Sequence, residues 1–250
     1  MGEISLNSVD LPEETRDVLE RYLNKVSQEW QEGVEALLLF GSAARGDFIL
    51  GRSNINIAGI FRHLPVKTLQ KGGSLHRNWG KHQIVAPLMM TLEDLQRSAD
   101  VFPLEMMQMK DHHVLLQGRN PLLDFTVNEA RLPWQCQQEV LGNLFQVRQR
   151  YIEGEGRIEA IQALLILSMT ALLPCLRGLL KLMGQSSQGA DSAILERFHE
   201  TASFDTTVLS EVLQMKRGLA SPGKFEWPKL YERYLESLEQ LDRQCPQWCG

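Results

Sequence analysis

The chain has 250 residues, of which 43% are hydrophobic and 23% charged, with a net charge of −5. That composition belongs to a soluble globular protein long enough for one large or two ordinary domains. It excludes a disordered or collagen-like chain, and the acidic balance disfavours binding to nucleic acid, which is driven by basic surfaces that release counterions.

The four cysteines, Cys136, Cys175, Cys245 and Cys249, lack paired CxxC spacing. They are expected to be reduced thiols and not a zinc site. Met1 to Asp10 is acidic and mixed and does not read as a secretory signal, so the expected location is cytoplasmic. The run Ala160 to Met183 has an apolar core of only thirteen residues, Ala163 to Cys175, before Arg177 and Lys181 interrupt it. Spanning a bilayer takes about 20 apolar residues. A buried helix and no membrane partner are therefore expected.

Leu11-Pro12-Glu13-Glu14 opens a helix, because proline and acidic residues suit a first turn. Val18, Leu19, Tyr22, Leu23, Val26 and Trp30 carry it at helical spacing to about Gln31. After Gly33, Val34 to Phe40 is a continuous apolar run of strand length, predicted to be central and covered on both faces. Asn54 to Phe61 is predicted as a second strand. Residues 62–81 bear glycine, lysine and arginine, as at Lys71-Gly72-Gly73, and are predicted to hold a short helix and a mobile loop. His82 to Thr91 reads as a third strand, with Pro87 placing it at an edge or bulge. Thr91-Leu92-Glu93-Asp94 has the pattern of a capping box, starting a helix that ends near Asp100. Phe102 to Met109 reads as a fourth extended segment, and Val114 to Gly118 as a short fifth.

Beyond about Leu122 the chain turns Leu- and Gln-rich with helical periodicity. Helices are predicted over Trp134–Glu153, Arg157–Met183, Ser192–Thr201, Thr206–Gly218 and Trp227–Gln244. They are separated by Gly154-Glu155-Gly156, Gly184 to Gly189, and Ser221-Pro222-Gly223. The expected architecture is α+β, with a mixed-sheet domain at 1–122 followed by an all-α helical bundle at 123–250.

One stretch carries chemistry. Leu37-Leu38-Leu39-Phe40-Gly41-Ser42-Ala43-Ala44-Arg45-Gly46-Asp47 precedes Ser53-Asn54-Ile55-Asn56-Ile57 by the right gap. It resembles the signature of the nucleotidyltransferase superfamily, which contains DNA polymerase beta and the kanamycin-type aminoglycoside nucleotidyltransferases. There, an apolar strand runs into a Gly-Ser turn and a second strand carries Asp-x-Asp. The kanamycin-type proteins also place a mixed-sheet domain before a helical one. Many bacterial proteins of the group have a segment similar to Phe102-Pro103-Leu104-Glu105 followed by glycine and a hydrophobic turn.

The resemblance implies Gly41, Ser42 and Arg45 as a phosphate-binding turn, with glycine letting the backbone approach phosphate. It implies Asn54 and Asn56 at the metal-ligand positions. Glu105, read in the fourth extended segment, is the candidate third carboxylate, serving as metal ligand and general base. Asp47 belongs to the turn even in active relatives and is discounted as a replacement. By the same analogy Trp134, Glu139 and Tyr151 line an interdomain acceptor cleft. His112-His113 does not suit one metal ion, because adjacent side chains diverge.

The cofactors implied are Mg2+ and a nucleoside triphosphate, if the protein is active. Magnesium favours hard, charged oxygen ligands. Asparagine keeps the size and carbonyl oxygen of aspartate and loses its charge. The metals supply several kcal/mol, and each 1.4 kcal/mol or so is tenfold in rate, so their loss is worth many orders of magnitude. The leading expectation is thus a catalytically degenerate nucleotidyltransferase fold that binds a nucleotide or phosphorylated small molecule in the interdomain cleft. The alternatives are an active Mg-dependent transferase moving an AMP-like group to a small molecule or protein, and a non-catalytic regulatory or interaction module. A homodimer is the weaker expectation that the kanamycin-type resemblance adds.

Overall fold

The structure is a computed structural model that describes residues 6, 9–30, 33–220 and 225–249. It divides into two compact units, 1–127 and 128–250. The sequence reading ended the first domain at 122; Phe125, beyond that bound, packs with Leu122 into the core of the first unit.

In the first unit, helix α1 (Glu13–Glu29) carries Glu13 and Glu14 in its opening turn and buries Val18, Leu19, Tyr22, Leu23 and Val26 along one stripe. Gln31, the expected end of this helix, lies outside the described residues. Strand β1 (Val34–Phe40) follows, then a single-turn helix α2 (Ser42–Arg45) and strand β2 (Asn56–Phe61). After α3 (Val66–His76) come β3 (Leu88–Thr91), α4 (Leu92–Val101), α5 (Pro103–Asp111) and β4 (His113–Gly118).

The sheet order is β3-β2-β1-β4. β1 runs antiparallel to both neighbours, whereas β2 and β3 are parallel. Leu37 and Leu39 join Ile57, Phe61 and the buried stripe of α1 in one core. Ala36 and Leu38 point the other way, into a second core with Ala58, Ile60, Leu95, Ala99, Met106 and Met109. Burial on both faces explains why β1 is a continuous apolar run and not an alternating one.

Several local expectations hold. Thr91 and Asp94 form a reciprocal capping box, Thr91 Oγ1 accepting from Asp94 N at 3.1 Å and Asp94 Oδ2 from Thr91 N at 2.9 Å. Others are corrected. Phe102 to Met109 is a helix, because Pro103 suits the first helical position, where its missing N–H costs nothing. Its residues Leu104, Met106, Met107 and Met109 are buried, with Glu105 exposed and Gln108 half-buried between them, and so short and mostly apolar a segment also suits a strand.

The third strand is shorter than predicted. Residues 80–82 form a 3-10 turn, Gln83 turns the chain with φ of 62°, and only a single bridge, Ile55 to Ile84, precedes Leu88. The short helix expected within 62–81 is α3, and Gly72 lies inside it. A Cβ there would sit 3.1 Å from Trp30, so the glycine lets α3 approach that ring.

The second unit holds α6 (Leu132–Glu153), α7 (Ile158–Leu182), α8 (Asp191–Ala202), α9 (Thr207–Lys216) and α10 (Trp227–Trp248). Glu155 and Gly156, both at positive φ, separate α6 from α7. The expected breaker Ser221-Pro222-Gly223 lies outside the described residues. α7 is by length and composition apolar enough to cross a membrane, and 67% of its most apolar window is buried. A buried polar link joins three helices: Ser168 donates to Asn143 Oδ1 at 2.7 Å and lies 2.8 Å from the Tyr234 hydroxyl.

Arg177, on α7, is 1% exposed and donates to Ser187 O, Gly189 O and Asp191 Oδ1 (2.9 Å). The guanidinium thus ties the connection after α7 to the first residue of α8. Replacing Asp191 by alanine strands a buried cation and should cost about 3–5 kcal/mol, read by urea denaturation. A cost under about 1 kcal/mol would show that the backbone acceptors alone satisfy Arg177.

Candidate functional site

β1 delivers the chain to the Gly41 turn. Gly41 has φ of 76° and ψ of −152°, a conformation that side chains rarely adopt. A Cβ on it would stand 2.8 Å from Asn56 Nδ2, so the glycine is needed twice, for the turn and for the close approach. Its carbonyl accepts from Ala44 N and Arg45 N, and Ser42 O accepts from Asp47 N, which closes the single turn of α2. Gly46, in the left-handed region, ends it.

Asn56 is the first residue of β2 and stands opposite Phe40 in the antiparallel register. Its side chain is half-buried against Gly41 and donates to Asn54 O at 3.4 Å. Asn54 lies just outside the strand and is exposed. The structure therefore brings Gly41 and Asn56 into contact, with Ser42 next in the chain and Asn54 two residues before Asn56.

Arg45 is turned toward Asp47, Nε to Oδ2 being 3.7 Å, with the two side chains 13% and 7% exposed. That is an ion pair without hydrogen-bond geometry. The arginine charge is partly neutralised within the turn, and Asp47 acts as its counter-charge.

Glu105 is not on a strand. It lies exposed in the first turn of α5, and the premise that placed it beside the asparagines fails. The segment that does run beside Asn54–Asn56 is Ile84 to Pro87, parallel to β2 and leading to the Ala58–Leu88 pair. Ile84, Val85, Ala86 and Pro87 carry no carboxylate. On the other side, Phe40 and then His113 occupy the register. Among the described residues, no group of three His, Cys, Asp or Glu side chains could hold a metal ion. Besides the single Asp47 carboxylate, which faces Arg45, the side-chain oxygens around the turn are amides and a hydroxyl, and that donor set does not fit a pair of magnesium ions.

Of the His112-His113 pair, His113 is held in a structural hydrogen-bond network. His113 Nδ1 faces Met109 O and Lys110 O, both at 3.0 Å, and carbonyl oxygens are satisfied only by a donor. Nε2 then meets the Asn120 amide at 2.8 Å as an acceptor, and Asn120 Oδ1 accepts from Leu122 N. His113 fastens the end of α5 to the segment after β4.

Gln83 was not anticipated. Its Oε1 accepts from Gly51 N at 2.9 Å, its Nε2 donates to Ser53 O, and its carbonyl accepts from Ile55 N at 2.8 Å. Ser53 Oγ accepts from Ile49 N at 3.0 Å. Together these bonds hold the loop that leads into Asn54. No sequence pattern marks Gln83, since glutamine has no special claim on a left-handed position.

In the second unit, Tyr151 stacks on Tyr231, ring centroids 4.0 Å apart, and Trp134 is exposed. All four cysteines are free. Cys245 Sγ lies 3.7 Å from Cys249 Sγ, and that contact draws the Cys249 thiol down to about 7.

Two outcomes follow from this geometry. Gly41→Ala should destabilise the protein by about 1–3 kcal/mol in denaturant melts, since it adds positive-φ strain to a clash with Asn56. Gln83→Ala should raise hydrogen exchange at Gly51 and leave exchange in β1 unchanged; unaltered exchange at Gly51 would remove Gln83 from its positioning role.

No protein-family model matches the chain, and no curated protein matches it in sequence. Among solved structures, it is similar to spectinomycin adenyltransferase AAD(9) from Enterococcus faecialis, determined with ATP and spectinomycin. The TM-score is 0.53 at 11% identity, over 90% of this chain and 98% of that one. At that identity the likeness speaks to fold alone. The chain has the α+β nucleotidyltransferase-like fold, a mixed four-stranded sheet with helices followed by a helical region.

Proposed function

We propose that this chain is a nucleotidyltransferase-fold protein that binds a nucleotide or another phosphorylated small molecule at the Gly41-Ser42 turn and has lost metal-dependent transfer. One observation carries the reading. Asn56 packs its neutral amide against Gly41, and the neighbouring strand positions supply no carboxylate in compensation. Backbone N–H groups in such a turn can meet phosphate oxygens without any metal. Two magnesium ions at close quarters repel each other, and amide oxygens cannot offset that repulsion as carboxylates do. The similarity in fold to a protein solved with ATP supports a nucleotide as the ligand to try first.

The test compares the wild type with the Asn54→Asp/Asn56→Asp double variant. By calorimetry, wild-type ATP binding should be unaffected by replacing magnesium with EDTA, and the variant should gain magnesium-dependent affinity. Wild-type nucleotidyl transfer should be undetectable with ATP and an aminocyclitol acceptor. Transfer by the wild type at a rate comparable to the variant would sink the loss of catalysis, and absence of ATP binding in both would sink the nucleotide reading.

A further inference from the structure

α6 is apolar on two opposite sides. Leu132, Cys136, Val140, Leu144 and Val147 are buried in the second unit's core. On the other side, Trp134, Leu141, Phe145 and Ile152 are 77%, 39%, 56% and 75% exposed. At about 100° per residue, all four lie within about 20° of one line along the helix, and that line extends over about 27 Å. A surface helix ordinarily keeps one apolar stripe and makes the rest polar. A second stripe with two aromatics is the composition of an interface core.

The stripe is also symmetric in sequence. Trp134 and Ile152 are equidistant from position 143, and so are Leu141 and Phe145. An antiparallel copy of α6 laid across it would pair Trp134 with Ile152 and Leu141 with Phe145, each twice. At the flanks, Gln138 of one copy would lie beside Gln149 of the other, and Arg148 beside Gln137. Arg148 already carries a counter-charge, Glu239 at 2.7 Å. Just beyond the helix ends, Arg131 and Glu155 hold the corresponding places with opposite sign. No like charges meet across the axis, as an isologous two-fold contact requires.

We propose that this face of α6 binds a second copy of the chain, antiparallel, about a two-fold axis level with Asn143. The four side chains offer roughly 500 Å² per copy, or about 1,000 Å² in all, near the lower limit of specific interfaces. The dimer should therefore be reversible, with a dissociation constant in about the micromolar range.

Sedimentation velocity on the full chain, from roughly micromolar to hundred-micromolar concentration, should show 28.5 kDa monomers giving way to dimers. Leu141→Lys and Phe145→Glu should each weaken association at least about tenfold, with unchanged circular dichroism because both side chains are exposed. An equimolar mixture of the two variants should dimerise again. In it, the new lysine of one copy faces the new glutamate of the other, and the remaining Leu141 faces the remaining Phe145. A wild type monomeric throughout would show that something other than a second copy covers the stripe and would overturn the proposal. So would dimers indifferent to both substitutions, or variants that do not recover on mixing.

Discussion

The first unit depends on β1 being buried on both faces. Leu37 and Leu39 feed one core and Ala36 and Leu38 the other, so the strand can carry no polar side chain along its middle. Burying an unpaired polar group there would cost several kcal/mol, more than a marginally stable domain tolerates. Polar chemistry is therefore displaced to the strand's end. There the chain must leave the sheet, and Gly41 makes the exit by taking a backbone conformation that other residues avoid. The site is where it is because the core forbids it elsewhere.

At that exit the packing is tight and the charge is low. Asn56 lies against Gly41 closely enough that a methyl group would not fit between them. Loop bonds from Gln83 and Ser53 hold the approach to Asn54. Arg45, the one cation in the turn, is turned toward Asp47. On the proposed reading, Asn54 and Asn56 have the shape of the carboxylates that would make a metal centre there and lack their negative charge, to which ion binding responds far more steeply than to shape.

The second unit solves a different problem. Its longest helix, α7, is almost wholly apolar and still buries a guanidinium, which Asp191 and two carbonyl groups satisfy. α6 packs against α7 with one face and keeps a second apolar stripe outside. α7 is the more apolar of the two in sequence, and α6 is set apart by the apolar side chains it leaves exposed.

Much of this was legible in the sequence, for identifiable reasons. Two-sided apolar runs, helical periodicity, the Thr91 cap and the Gly-Ser turn are local patterns, and local sterics and hydrogen bonding enforce them whatever lies nearby. The charge lost at Asn54 and Asn56 could likewise be read directly, because side-chain identity alone decides it. Where the sequence reading failed, two answers shared one pattern. Leu104, Met106, Met107 and Met109 make a mostly apolar segment that suits helix or strand, and packing decides for helix, so Glu105 does not stand on a strand as the sequence reading had it. Gln83 had no local signature because its partners lie about thirty residues away. The sequence by itself determined β1, β2, β4, the Gly41 turn and the absence of charge at Asn54 and Asn56. The tertiary structure alone decided which side chains surround that turn, because contact between distant segments is set by register and packing, not by any pattern within one segment.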